Sequence, residues 1–366
     1  MFKSKILILG CIGVILITML VSLFLVYYPR IRSIRTIRKM TNYDDYNLYR
    51  MDIDYDYSLD DVIESGIQDD ASLIQAIVQE SIPLMPVHIE APDFGCTAFS
   101  IITEDGEIYT GRNYDFKNDT SAMLVYCTPK KGYRSMGLAA LDNVGANVPD
   151  KSMKTKLATL TAPFVCLDGI NERGVSIAVL TLDSEPVHQN TGKPVISTTL
   201  AIRLVLDKAA STDEAISLLK EYDMFASSGR DYHFYINDRD GDGRVVEYDC
   251  KSKSRELVDM PVSAATNFYG IYEDKVKPNQ KNGIYGHGKE RYEAVLDVLS
   301  EQINRVTKDT IWAALKASAQ DPNPKDITSN TQWSVAYDNT NLRGEITIRR
   351  HFNDVIRVQL DDRRQK

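Results

Sequence analysis

Apolar and polar positions divide the chain into three stretches with different periods. The first is a continuous apolar run, ILILGCIGVILITMLVSLFLVYY, from Ile6 to Tyr28, with no charge inside it. A run of that length can cross a bilayer as one helix. It is longer than the apolar core of a signal peptide and no small-residue cleavage site follows, so it predicts an uncleaved anchor. The second stretch begins with residues 41–57, rich in Tyr and Asp and without a clean period, which read as a linker or a surface-wrapping segment. Ser58 with Asp61 then forms a helix-capping pattern, and Asp70 can cap a second helix. Ile74, Ile77 and Val78 fall on one face of that helix, and Pro83 and Pro86 end it.

From Cys96 the period shortens to that of strands. CTAFSIIT and EIYTGRNYDF flank the turn EDG and predict a hairpin. SAMLVYCTP and YRSMGLAAL predict a second pair, and GVSIAVLTL a buried strand. STTLAIRLVLDKAA and STDEAISLLKEY predict helices, the second capped by Ser211 or Thr212. DYHFYIND and GRVVEYD predict a hairpin around RDGD. KERYEAVLDVLSEQI and KDTIWAALKAS predict two more helices, and QWSVAYDNTNLRGEITIRR a last hairpin. Strand blocks with helices inserted in pairs suggest helices on the outer faces of two antiparallel sheets.

Composition narrows the function. The 366 residues are 43% hydrophobic and 26% charged, which suits a globular body with a real core. The net charge of -8, without a basic stripe in the body, argues against nucleic acid as a partner. Five cysteines (Cys11, Cys96, Cys127, Cys166, Cys250) are an odd set without CxxC spacing, so neither a disulfide scaffold nor a zinc site is expected. Arg30, Arg32, Arg35, Arg38 and Lys39 follow the apolar run, against Lys3 and Lys5 before it. By the positive-inside rule this places the C-terminal side in the cytoplasm, or lays the basic run on anionic headgroups. A short N-terminus, one span and a large domain is instead the plan of an export anchor. On that plan the expectation is a single-pass membrane protein with an extracytoplasmic domain.

The candidate chemistry centres on Cys96. A cysteine nucleophile needs a base or a positive charge to form its thiolate. The five histidines (His88, His188, His233, His287, His351) carry no recognisable Cys–His motif. The other solution is the nucleophile's own α-amino group, with a pKa of about 7.7–8.0, available only if the chain is cut between Gly95 and Cys96. Glycine before the cysteine leaves the preceding carbonyl unhindered.

CTAFSIITEDGEIYTGRNYDF resembles the start of the choloylglycine hydrolase and N-acylethanolamine acid amidase family, the N-terminal-nucleophile hydrolases of linear amide C–N bonds. DGINERGVSIAVL (Asp168–Leu180), ATNF (Ala265–Phe268) and ERYEAVLDVL (Glu290–Leu299) resemble further motifs of that family, in order. The resemblance implies an α+β fold, the four-layer αββα sandwich, preceded here by one transmembrane helix. With the apolar run and the unperiodic stretch after it, the resemblance divides the chain into a membrane anchor with its basic flank at 1–40, a linker and helical propeptide at 41–95 and a hydrolase domain at 96–366. Cys96 would be the nucleophile and its freed amine the base. Arg112 would lower the thiol pKa, Asp115 would hold the terminal ammonium, Asn267 would offer its amide to the oxyanion, and Arg291 would complete the charged network. Thr181 stands where bile-salt hydrolases carry an asparagine that donates a backbone N–H. No metal or organic cofactor is implied.

Plainer readings stand beside these. Cys127, Cys166 and Cys250 read as small buried apolar residues. Arg112 with Asp115 could be an ordinary ion pair, Asn267 a turn residue and Arg291 a helix-face residue. Asp238, Asp240, Asp242, Gly243 and Asp249 match EF-hand calcium-loop spacing, but strand-like flanks read equally as a hairpin tip. The expected activity is hydrolysis of a small-molecule amide, lipid-like given the anchor, through a Cys thioester. The alternatives are an acyltransferase on the same scaffold and a catalytically inactive, membrane-tethered binding protein. A second copy of the chain is a candidate partner.

Overall fold

The computed structural model describes residues 2–83, 95–276, 286–302, 305–323, 325 and 329–361. Helix α1 (Phe2–Arg35) is followed by strands β1 (Arg38–Lys39) and β2 (Leu48–Asp52) and helices α2 (Leu59–Glu64) and α3 (Asp70–Ser81). Strands β3 (Gly95–Ile102), β4 (Ile108–Asp115), β5 (Ala122–Cys127) and β6 (Ser135–Ala140) precede α4 (Met153–Ala158). Next come β7 (Cys166–Asn171), β8 (Ser176–Leu182), β9 (Val195–Ser197), α5 (Thr198–Lys208), α6 (Thr212–Leu219) and β10 (Asp223–Phe225). Strands β11 (Asp231–Asn237), β12 (Arg244–Tyr248), β13 (Leu257–Pro261), β14 (Ala264–Ala265), β15 (Asn267–Phe268) and β16 (Gly286–His287) lead to α7 (Lys289–Glu301) and α8 (Lys308–Ala317). Strands β17 (Thr331–Asp338), β18 (Arg343–Ile348) and β19 (Ile356–Gln359) close the described chain.

Among the described residues two large sheets form. One has nine strands in the order β1-β2-β5-β6-β7-β8-β11-β12-β13, the other six in the order β14-β3-β4-β17-β18-β19. Strand parity decides what lies between them. Cys96, Ala98 and Tyr114 share a core cluster with Val179 of β8 and Trp333 of β17, on the face turned toward the nine-stranded sheet. Phe99, Ile101 and Tyr109 face the other way and pack with Val295 of α7 and with Ile311 and Leu315 of α8. Helices α5 and α6 cover the nine-stranded sheet through β7, β8 and β11. The packing order is thus helix, sheet, sheet, helix, in a mixed α+β fold.

The hairpins expected at 96–116, 121–141, 231–249 and 332–350 all form as antiparallel pairs. Helix α6 takes Ser211 as its cap. Helix α3 is capped by Asp69, one residue before the expected Asp70, because Asp69 closes a reciprocal box with Ser72. Pro86 lies outside the described residues.

The unperiodic stretch 41–57 is not a linker. Its β2 pairs in parallel with β5 inside the nine-stranded sheet, and Leu48, Met51, Ile53, Tyr55 and Tyr57 are buried. A strand covered on both faces has no polar alternation, which is why its period is silent.

Helix α1 is the described helix long and apolar enough to cross a membrane, and its span lies outside the folded body. A signal sequence near an N-terminus shares those properties. The basic flank is divided: Arg35, Arg38 and Lys39 are exposed, whereas Arg30 and Arg32 are engaged by the body. The helix continues through it to Arg35, Arg30 is buried, and Arg30 donates to the carbonyls of Ser81 (2.7 Å) and Glu80 (2.6 Å). Those carbonyls end α3 and have no intrahelical partner. Arg32 pairs with Asp54 at 3.2 Å.

Candidate active site

The hairpin β3–β4 sets Cys96 opposite Tyr114 and Gly95 opposite Asp115. Gly111 is required where it stands: Phe99 lies directly opposite, and a Cβ at Gly111 would come 2.4 Å from the Phe99 ring. Cys96 and Arg112, both even-numbered, point between the sheets, whereas Thr97 and Asp115 point toward α7. Cys96, Arg112, Asp115 and Asn267 have no exposed surface, and Arg291 almost none.

The centre of the arrangement is a main-chain nitrogen. Cys96 N–H donates to Asn267 Oδ1 at 2.9 Å, and Arg291 Nη2 donates to the same oxygen at 2.6 Å. Arg291 Nη1 donates to the Cys96 carbonyl at 2.8 Å and to Asp115 Oδ2 at 3.0 Å. Thr331 donates to Asp115 Oδ1 at 2.6 Å. A register shift in β17 between Thr331 and Trp333, opposite Asp115 and Tyr114, re-aims that hydroxyl. Arg291 opens α7 behind Gly288, whose φ of 91° is the left-handed conformation open to glycine.

Arg112 donates to the carbonyls of Asn113 (2.8 Å) and Val179 (2.9 Å). Its Nε lies 3.5 Å from Asp168 Oδ2, a buried ion pair longer than a good hydrogen bond. Asp168 also accepts from Trp333 Nε1 (3.0 Å) and from Tyr337 (2.5 Å). Asp168 opens the DGINERG motif, and its ion pair with Arg112 joins the two sheets. Thr331 carried no sequence signal, because its partner is reached only across the sheet.

Burial pushes the Cys96 thiol up to about 12; Arg112 opposes that rise and Asp115 adds to it. Burial also pushes the Asp115 carboxyl up to about 6, against the pull of Arg291, Thr331 and Arg112. In the uncut chain the thiol is therefore a neutral, enclosed group.

The five side chains expected at the site, Cys96, Arg112, Asp115, Asn267 and Arg291, converge. The orientation of Asn267 differs from expectation. Two groups that can only donate, Cys96 N–H and Arg291, fix its carbonyl oxygen toward Cys96, and Nδ2 donates to the Thr181 carbonyl at 2.8 Å. Thr181 thus meets the site through its C=O. Two of the calcium-loop carboxylates, Asp238 and Asp242, are engaged by neighbouring residues. Asp238 accepts from the nitrogens of Asp240, Asp242 and Thr212, and Asp242 pairs with Arg244. Among the described residues no group of three or more His, Cys, Asp or Glu could hold a metal ion.

Residues 96–267 match the family model of the linear amide C–N hydrolases, choloylglycine hydrolase family. No curated protein matches the chain in sequence. Among solved structures, an arginine-to-leucine variant of conjugated bile acid hydrolase from Clostridium perfringens aligns with a TM-score of 0.54 and 16% identity. It covers 74% of this chain and 94% of that one. A cysteine-to-alanine mutant of the same hydrolase aligns at 0.52 and 16% identity, covering 72% and 92%. Penicillin V acylase from Agrobacterium tumefaciens aligns at 0.48 and 17% identity, covering 69% and 83%. At these identities the two hydrolase structures establish a shared fold.

Proposed function

We propose that this chain, a member of the choloylglycine hydrolase family across residues 96–267, hydrolyses linear, non-peptide amides with Cys96 as an N-terminal nucleophile. The observation that carries this reading is the polar cradle around the Cys96 nitrogen, where Asn267 accepts its hydrogen and Arg291 holds the adjoining carbonyl. A mid-chain amide gains little from the buried Arg291–Asp115 ion pair beside it, whereas an α-ammonium gains a carboxylate to hold it.

Activation begins with attack of the Cys96 sulfur on the Gly95 carbonyl. The Gly95–Cys96 C–N bond breaks, Gly95 passes to sulfur as a thioester, and the nitrogen becomes a free amine. Water then releases Gly95 as a carboxylate and restores the thiol. In turnover that amine takes the thiol proton, sulfur attacks the substrate carbonyl, and the leaving amine departs with the proton. Water deprotonated by the same amine cleaves the thioester. Arg112 favours the thiolate, Asp115 with Arg291 orients the ammonium, and the free Nδ2 hydrogen of Asn267 with the backbone near Thr181 faces the oxyanion.

After cleavage the piece ending at Gly95 stays bound. Its β2 is an inner strand of the nine-stranded sheet, and burial of Leu48, Met51 and Ile53 contributes about 1.5–3 kcal/mol each. The catalytic piece therefore stays tethered to α1, and an amide with a long acyl chain, presented at a bilayer, is the substrate class that fits this arrangement.

Intact mass and N-terminal sequencing of wild-type and Cys96→Ala protein test the reading. A new terminus at Cys96 in wild type alone supports it. Identical full-length chains would overturn it and favour a binding protein. Release of fatty acid from a fatty-acyl amide of 7-amino-4-methylcoumarin, against transfer of the acyl group to an added amine, separates hydrolase from acyltransferase.

A further inference from the structure

Behind the site lies a second buried pair that the proposed mechanism does not use. His233 of β11 and Glu247 of β12 are both without exposed surface. The His233 ring touches acceptors at both nitrogens: Nδ1 lies 2.8 Å from Glu247 Oε1 and Nε2 lies 2.7 Å from the Thr266 carbonyl. A carbonyl cannot donate, so Nε2 carries a hydrogen and the ring cannot flip without losing it. Between Nδ1 and Oε1 one proton is shared in either placement. Glu247 also accepts from the nitrogens of Gly270 (2.8 Å) and Ile271 (3.1 Å).

These contacts hold the segment 266–271 at both ends, and Asn267 lies inside it. Thr266 has a second hold: its hydroxyl donates to the Gly288 carbonyl at 2.9 Å, and Gly288 caps the helix that carries Arg291. Asn267, which meets the Cys96 nitrogen, and Arg291, which meets the Cys96 carbonyl, are thereby referred to one residue, Thr266, and Thr266 is fixed by His233.

We infer that His233 and Glu247 form a positioning pair for the nucleophile, setting Asn267 against the Cys96 nitrogen and Arg291 against the Cys96 carbonyl from the opposite sheet. This rests on the amidase reading above. Neither residue is among those that contact Cys96. Their effect is on where Asn267 Oδ1 sits, and a misplacement of about 1 Å in such a group can cost about 100-fold in rate.

The test is the kinetics of cleaved wild type, His233→Phe, His233→Gln and Glu247→Gln on the fatty-acyl coumarin amide, with thermal melting measured alongside. His233→Phe should lower kcat by about 10- to 100-fold with KM within about 2-fold. His233→Gln, which can still donate to Thr266, should recover part of that loss. Glu247→Gln keeps the shape but places an NH2 among donors, and should show the same split. Equal kcat in wild type and all three variants overturns the inference, as does a loss that follows melting alone without recovery in His233→Gln. Should wild type itself neither cleave nor turn over, the amidase reading fails instead. A crystal structure of His233→Phe then decides the pair: Asn267 Oδ1 displaced from the Cys96 nitrogen supports it, and Oδ1 still within hydrogen-bond reach overturns it. Glu247→Gln supplies the same structural comparison where His233→Phe does not fold.

Discussion

Two fully buried cysteines in this molecule have an arginine and an aspartate beside them, and only one has the makings of a nucleophile. At Cys127, Arg203 approaches the sulfur at 3.3 Å, pairs with Asp207 at 2.7 Å and donates to Ser135 at 2.5 Å. Tyr57 from the N-terminal segment seals this cluster, its ring beneath Arg203 and its hydroxyl 3.0 Å from Asp207. At Cys96, Arg112 opposes the rise that burial gives the thiol and Asp115 adds to it. What sets Cys96 apart is its nitrogen, which donates to the Asn267 side chain beside a second arginine. A cation and a carboxylate near a thiol are thus insufficient as a sign of catalysis. The informative feature is a main-chain nitrogen placed where a base would be needed.

The sharpest way to break this comparison is to remove each sulfur. Cys96→Ala should abolish both cleavage and amide hydrolysis, read by intact mass and probe turnover. Cys127→Ala should leave both in place, at a stability cost of about 1 kcal/mol in urea unfolding. Loss of cleavage in Cys127→Ala would mean the two clusters are not distinct in function.

Removing the arginines comes next. Arg203→Met leaves Asp207 buried without its cation and should destabilise the protein by about 3–5 kcal/mol, with cleavage intact in the folded fraction. Arg112→Met likewise leaves Asp168 buried without its cation and should also destabilise the protein, and in the folded fraction it should in addition slow alkylation of Cys96 by iodoacetamide once the chain is cut.

A third expectation concerns pH. Asp115 holds its proton up to about 6 in the uncut fold, whereas an unfolded aspartate releases it near 3.9. Between those values the folded chain binds more protons than the unfolded one, so stability falls as pH rises through that window. In the uncut Cys96→Ala protein the fall should amount to about 2–3 kcal/mol between pH 4 and 6. Asp115→Asn should flatten it, and an unchanged slope in that variant would count against the assignment. Asp168 and Asp207 are raised by burial as well and add in the same direction.

The smallest effect tests the seal on the second cluster. Tyr57→Phe removes one hydrogen bond to Asp207 and should cost about 1 kcal/mol, with the N-terminal piece still co-purifying after cleavage.

Much of the site was legible because its residues lie in short, local patterns. The hairpin around EDG carries Cys96, Arg112 and Asp115 at spacings set by the two-residue period of strands, and Gly111 between them is explained by Phe99 alone. Asp168 was visible in its motif but not as the counter-ion of Arg112, because that pairing crosses from one sheet to the other. Thr331 and the His233–Glu247 pair were silent for the same reason. The segment 41–57 misled, since a strand buried on both faces has the composition of neither a strand edge nor a linker.

By itself, then, the amino-acid order determined what local chemistry and periodicity can carry. This includes an apolar helix at the N-terminus, the strands and helices after Cys96, and a cysteine behind a glycine with an arginine and an aspartate at strand spacing. Tertiary structure alone decided which way Asn267 faces, that Arg30 serves the end of α3 instead of a lipid surface, and that the stretch before the nucleophile is an inner strand. The physical reason is that buried donors and acceptors must all find partners. Which partner each finds depends on sheets and helices brought together from distant parts of the chain.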